Sequence, residues 1–130
     1  MNDEVETPKG ELSLRMLAMP ADTNPAGDIF GGWLLSQMDI AGGLAAKQRS
    51  SGRTVTIAVN SMTFHKPVFV GDVVCCYTNI ERIGRTSLEV RVQAWVVRGV
   101  HDGERLKVTE GLFTYVAVDD ERNPRPIPEE

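Results

Sequence analysis

One stretch of this 130-residue chain, WLLSQMDIAGGLAAK (33–47), reads as a helix that is apolar on most of its sides. Such a helix must be covered over most of its surface rather than along one stripe. The material available to cover it is β-structure. TVTIAVNSMTF (54–64), VVCCYTNIERI (73–83), SLEVRVQAWVV (87–97) and RLKVTEGLFTYVAV (105–118) are long runs rich in Val, Thr and Ile. Short turns, HKPVFVGD, IGRT and VHDGE, separate them. In the third run Leu88, Val90, Val92, Ala94 and Val96 alternate with Glu89, Arg91 and Gln93, the pattern of a half-solvated antiparallel strand. ELSLRMLAM (11–19) supplies a strand ahead of the helix. The order predicts an α+β domain of five to six strands, a curved antiparallel sheet around one helix from about Gly32 to Gln48. A loose polar arm (1–10) precedes the domain (11–118), and a charged, proline-rich tail (119–130) follows on the surface.

The composition narrows the function classes. With 14 basic and 18 acidic residues the net charge is −4, without the basic footprint of a nucleic-acid binder. No apolar run reaches the length of a bilayer span, and MNDEVETPKGEL is too acidic for a secretory signal. The two cysteines, Cys75 and Cys76, are adjacent on a strand. Their side chains face opposite ways, so a bond between them would be strained. No Cys/His set has zinc spacing. These features predict a reduced, cytoplasmic protein with no metal site.

Against that background Asp39 stands out, placed among Trp33, Leu35, Met38, Ile40 and Leu44. An ionised carboxylate removed from water without a partner is very unfavourable. Either donors surround it, or it borders a wet cleft, or it holds a proton. A structural aspartate and a functional one both satisfy that requirement. One face of the helix, Ser36, Asp39, Gly42 or Gly43, and Ala46, is otherwise small, which suits the close approach of another backbone.

The glycine pair Gly31-Gly32 falls where the helix begins, and the first amides of a helix have no internal partner. Glycines leave those donors accessible, and the helix dipole favours negative charge there. A tight turn explains the pair equally well, since GDIFGG contains neither a phosphate loop nor GxGxxG. Asn24, ahead of Pro25, is a turn residue whose amide could also orient a water or a carbonyl. Asp39 lies roughly 10–12 Å along the helix axis from the glycines, too far for both to grip one carbonyl within a single chain. A symmetric dimer removes that difficulty. His65 and His101 lack evident acid partners, and there is no GxSxG elbow. Lys66, Arg82 and Arg85 are surface charges able to meet a phosphate.

LRMLAMPADTNPAGDIFGGWLLSQMDIAGGLAAK, VTIAVNSMTFHKPVFVGDVVCCY, GRTS and TEGLFTYVAVD together resemble bacterial acyl-CoA thioesterases of the YciA type, in the hotdog-fold superfamily. The resemblance spans about Leu14 to Pro128. It implies a long central helix wrapped by an antiparallel sheet, dimers sharing a continuous sheet, and assembly as trimers of dimers. The family's catalytic aspartate falls on Asp39, the asparagine of related thioesterases on Asn24, and the helix-opening glycines on Gly31 and Gly32. Coenzyme A contacts are implied at Asn60, Ser61 and Met62 and at Gly84, Arg85, Thr86 and Ser87, with Lys66 added as a phosphate contact. At His65 relatives carry other side chains.

The implied activity is hydrolysis of acyl-CoA to a carboxylic acid and CoA. A thiolate, whose conjugate acid has a reference pKa of about 8.5, leaves readily, so the reaction asks for no cofactor; CoA is part of substrate and product. Asp39 would serve as general base toward water or attack directly to give a mixed anhydride, and a Gly32 amide would hold the oxyanion. The other readings are a non-catalytic acyl-CoA-binding module, and a hydratase, which would want a histidine paired with the acid.

Overall fold

A computed structural model describes residues 6–99 and 103–129; His101 and the outer half of the N-terminal arm lie outside the described residues. Strand β1 (Glu11–Leu17) leads through a single 3-10 turn (Pro20–Asp22) to helix α1 (Gly31–Ser50), followed by β2 (Thr54–Phe64), β3 (Val73–Ile83), β4 (Ser87–Arg98) and β5 (Glu104–Ala117). The five strands form one antiparallel sheet in the order β1-β3-β4-β5-β2. This is the expected architecture, with β2 at one edge and β1 at the other.

The concave face of the sheet supplies the core. Leu88, Val90, Val92, Ala94 and Val96 of β4 pack with Val74 and Cys76 of β3 and with Val108, Phe113 and Tyr115 of β5. Against them α1 places Leu34, Met38, Ala41 and Ala46. Coverage of the helix is incomplete within one chain. Ile40 and Leu44 are 50% and 51% exposed, so the apolar circumference read from the sequence exceeds what a single sheet can wrap.

The outer face differs from the half-solvated expectation for β4. Gln93 and Trp95 are buried there because the arm crosses them. The Lys9 amide and the Trp95 indole N–H both donate to Gln93 Oε1, at 3.2 and 2.9 Å, while Lys107 Nζ meets Glu6 at 3.0 Å. Lys9 and Glu6 are distant in the chain from Gln93 and Lys107, so strand alternation alone does not reveal these contacts. The tail lies on the surface as expected and is pinned by Arg125. Its guanidinium donates to the carbonyls of Val118 and Ser50 at 2.9 and 2.8 Å, and Ile127 packs on the core.

The bend between β2 and β3 fixes the entrance to α1. Asp72 is 3% exposed and accepts two hydrogen bonds from Arg98, at 3.0 and 2.9 Å, and one from the Phe69 amide at 2.9 Å. Arg98 in turn lies over the Phe69 ring, 4.6 Å from its centroid. The bend so held presents Val68 O to the Ile29 amide at 3.0 Å, just ahead of the helix. Replacing Asp72 by Ala would leave Arg98 without its charge partner and free the bend. The expected loss is about 3 kcal/mol of unfolding free energy, read by urea denaturation at fixed protein concentration.

Candidate active site

TNPAGD folds locally because its side chains serve its own backbone. Asn24 Oδ1 accepts from the amides of Ala26 and Asp28 at 3.0 and 3.1 Å, and Thr23 bridges to Ile29. The turn reading of Asn24 is therefore correct for its oxygen, and its amide nitrogen is the end left to donate outward. Helix α1 starts at Gly31 after Phe30, with no side-chain cap, and both Gly31 and Gly32 are exposed. A Cβ built on Gly31 would find only Phe64 Cζ, at 4.0 Å, so packing within the chain does not require glycine there. At Gly32 a Cβ would meet the Phe30 ring at 2.6 Å. Beside this helix start lies a groove of about 310 Å³ lined by Ile29, Gly31, Leu34, Phe64, Lys66 and Val68, among others.

Asp39 is half-buried, and hydroxyl groups are what make its place tolerable. Thr56 Oγ1, on the exposed edge strand β2, donates to Asp39 Oδ1 at 2.7 Å. The Tyr115 hydroxyl, from β5, lies 3.0 Å from the same oxygen and 3.0 Å from the Asp39 carbonyl. Burial, reinforced by the Asp39 charge and the hydrogen bond to it, holds the Tyr115 phenol above its ordinary range.

The small face of the helix serves a different purpose from the one expected. Gly42 and Ala46 are buried within their own chain, and it is the Tyr115 side chain, not another backbone, that comes close at Gly42. Side-chain spacing shows that a face is small but not whether a ring or a main chain fills the gap.

The remaining expected residues fall into two groups. Asn60 and Ser61 are exposed on β2, where an irregular register between Asn60 and Thr63 places Ser61 at φ 57°. That irregularity turns Met62 inward, with its sulfur 3.8 Å from Thr109 Oγ1 and packed over Gly111, so Met62 does not share the outward aspect of its neighbours. The Gly84–Ser87 turn, including Arg85 and Thr86, closes on itself through Gly84 N to Ser87 O at 2.7 Å. It lies at the other end of the sheet: Ser87 pairs with Val116, whereas Asn60 pairs with Leu112 and Phe64 with Thr109. At about 3.3 Å per residue the two groups are some 13–23 Å apart along β5. Lys66 joins Gly31 at the groove.

Sequence reasoning missed Thr56 and Tyr115. A tyrosine between inward-facing Phe113 and Ala117 was a usable signal, since a buried phenol needs an acceptor; Thr56 carried none. Elsewhere, burial with Cys75 alongside pushes the Cys76 thiol up to about 12, in keeping with a packing role. Among the described residues no three His, Cys, Asp or Glu side chains are grouped to hold a metal ion. No described helix is long and apolar enough to cross a membrane.

Comparison with known proteins bears on this geometry. The family model of the thioesterase superfamily matches residues 26–108. The acyl-CoA thioester hydrolase YciA of Salmonella typhimurium is 56% identical over 124 residues, which cover 94% of this chain and 93% of the relative. Among solved structures, an aspartate-to-alanine mutant of HI0827, described as a hexameric broad specificity acyl-coenzyme A thioesterase, matches with a TM-score of 0.90. It is 52% identical, over 94% of this chain and 89% of its own. The acyl-CoA hydrolase of Staphylococcus aureus matches at 28% identity and TM-score 0.79, over 88% of this chain and 70% of its own. It has been solved as an aspartate-to-alanine and as a threonine-to-alanine mutant, and those two positions are 17 residues apart, the separation of Asp39 and Thr56 here.

The raised Tyr115 pKa has a consequence for stability. The folded chain holds the phenolic proton more tightly than the unfolded chain does. The resulting stabilisation is complete below the unfolded value of about 10 and is lost as pH rises toward the folded value. In an alkaline titration followed by phenolate absorbance, Tyr115 is expected to ionise only together with unfolding.

Proposed function

The chain belongs to the thioesterase superfamily, among the YciA-type acyl-CoA thioester hydrolases, and on that footing we propose how its residues divide the work. The protein is an enzyme that hydrolyses the thioester of acyl-CoA to a free carboxylic acid and CoA. The observation that carries the site assignment is Asp39, a half-buried carboxylate tethered through one oxygen to Thr56 and Tyr115.

Asp39 acts as general base, taking a proton from the water that attacks the thioester carbonyl. Carbonyl oxygen charge develops against the open amide of Gly32, with Gly31 leaving the approach clear, and the helix dipole adds to that stabilisation. Asn24 donates through its amide nitrogen to the carbonyl or the water. The tetrahedral intermediate then expels the CoA thiolate, a good enough leaving group that the chemistry asks for no resident cofactor.

Since Gly32 and Asp39 of one helix are roughly 10 Å apart along its axis, the site forms between two copies. Strand β2 supports this reading. It is an edge strand of 11 residues with Ile57 and Val59 exposed, next to the uncovered Ile40 and Leu44 of the helix. An unpaired apolar edge of that length invites a further strand. Antiparallel pairing of β2 with its twofold mate continues the sheet and sets the helix start of one protomer beside Asp39 of the other. It also brings the Gly84–Ser87 turn of one copy toward Asn60, Ser61 and Lys66 of its mate, joining two halves of a CoA site that a single chain keeps apart. Three such dimers form the hexamer, in line with the description of HI0827 as hexameric. The enzyme works in the cytoplasm, on acyl-CoA, with neither nucleic acid nor membrane as partner.

The test is kinetic. Asparagine at position 39 can still accept from Thr56 and Tyr115, so Asp39→Asn is expected to keep the fold and the affinity for CoA while turnover falls about a thousandfold. Acetyl-, butyryl- and palmitoyl-CoA with a thiol-trapping dye provide the assay; full turnover in the variant would end the assignment. Asn24→Asp keeps the turn but loses the amide donor. Mixing this variant with Asp39→Asn chains, each inactive alone, is expected to restore activity if the site is shared.

A further inference from the structure

The two hydroxyls on Asp39 are placed unequally. Thr56 reaches Oδ1 from an exposed edge strand, whereas Tyr115 is 1% exposed and stacked beside Phe113, ring centroids 6.4 Å apart at 13°. One anchor is fixed by the core and the other sits on the rim. The Tyr115 proton has two acceptors within reach, the Asp39 carbonyl and Oδ1, both at 3.0 Å. The carbonyl belongs to a helix and accepts the amide four residues on, while Oδ1 carries charge, so the phenol donates to the carboxylate.

The seat of that phenol is Gly42. A Cβ there would stand 2.3 Å from the Tyr115 hydroxyl oxygen, 3.1 Å from Cζ and 3.2 Å from Cε2, whereas at Gly43 the nearest atom, Tyr115 Cε1, is 3.8 Å away. The first of these two adjacent glycines therefore has a specific steric reason and the second does not. The conflict at Gly42 is chiefly with one oxygen, the one that bonds Asp39.

We infer that Tyr115, seated on Gly42, is a positioning residue for the hydrolysis: it fixes Asp39 through Oδ1 and so leaves Oδ2 as the oxygen that meets water. Two donors on one carboxylate oxygen stop rotation about the terminal torsion, and they occupy the lone pairs that would otherwise compete for the attacking water. With the phenol gone, Thr56 alone holds the group, from the edge strand of its own sheet, and the carboxylate turns. The inference rests on Asp39 as the base.

Tyr115→Phe keeps the ring and removes only the oxygen. The expected result is a fall in kcat of roughly tenfold to a hundredfold, the scale of an ångström-level misplacement, with KM unchanged and the thermal midpoint lower by only the few degrees that one lost hydrogen bond is worth. Gly42→Ala is expected to lower kcat comparably by pushing the hydroxyl away. In the Tyr115→Phe background the added methyl has lost its main obstacle, so the double variant is expected to match Tyr115→Phe alone. Gly43→Ala serves as the control with unchanged kcat. Wild-type kcat in Tyr115→Phe overturns the inference, and inactivity of Asp39→Asn in the same assay shows that the base survives it. Parallel changes in kcat, KM and thermal midpoint reduce Tyr115 to packing and also overturn it. Losses that multiply in the double variant remove Gly42 from the account. If Asp39→Asn retains turnover, the base assignment has failed first, and the two failures are told apart.

Discussion

The structure turns on how a negative side chain is kept in the middle of an otherwise apolar helix. Desolvating a carboxylate is expensive enough that it dictates what must stand opposite it, and what stands there is a pair of hydroxyls from two different strands, Thr56 on β2 and Tyr115 on β5. This ties the Asp39 side of the helix to β5 and β2 and constrains its rotation, while the helix itself packs across all five strands. The same contact demands a glycine at position 42, where the phenol comes to rest. A mid-helix carboxylate, a helix orientation and a residue with a high intrinsic helix cost are thus tied to one interaction.

The start of the helix follows a complementary logic. It has no side-chain cap and carries two exposed glycines, so its free amides are offered to the outside rather than satisfied within. Such an arrangement costs local helix stability, and the surrounding loop supplies the rigidity instead. The Asp72–Arg98 pair holds the bend between β2 and β3, the bend holds Ile29, and Asn24 ties its own turn to Asp28. Donors for a developing oxyanion are most effective when they need no rearrangement, and this loop is built from contacts that oppose rearrangement.

A single protomer leaves unfinished surfaces on the side of Asp39. Edge strand β2 and the helix residues Ile40 and Leu44 are open, and the implied CoA contacts are divided between opposite ends of the sheet. The twofold pairing proposed along β2 accounts for these features together.

Much of this was legible in the sequence. Unbroken β-rich runs, short turns and one helix-period segment fix an α+β architecture, because an apolar helix with four strands after it has few ways to be covered. The helix ends came out within two residues, since Phe30-Gly31 and Ser51 bound it, and Asp39 identified itself by being chemically out of place. The partners of Asp39 were not legible, because Thr56 and Tyr115 are 17 and 76 positions away and nothing local distinguishes one threonine of a strand from another. Nor was the burial of Gln93 and Trp95 beneath the arm, or the inward turn of Met62. The sequence by itself determined which segments are strand or helix and which residue is the chemical anomaly, for those follow from periodicity and side-chain chemistry. Only the tertiary structure decided which groups meet the anomaly and which glycine is indispensable, because contacts across a curved sheet depend on register and twist, quantities summed over the whole chain rather than carried by any one stretch of it.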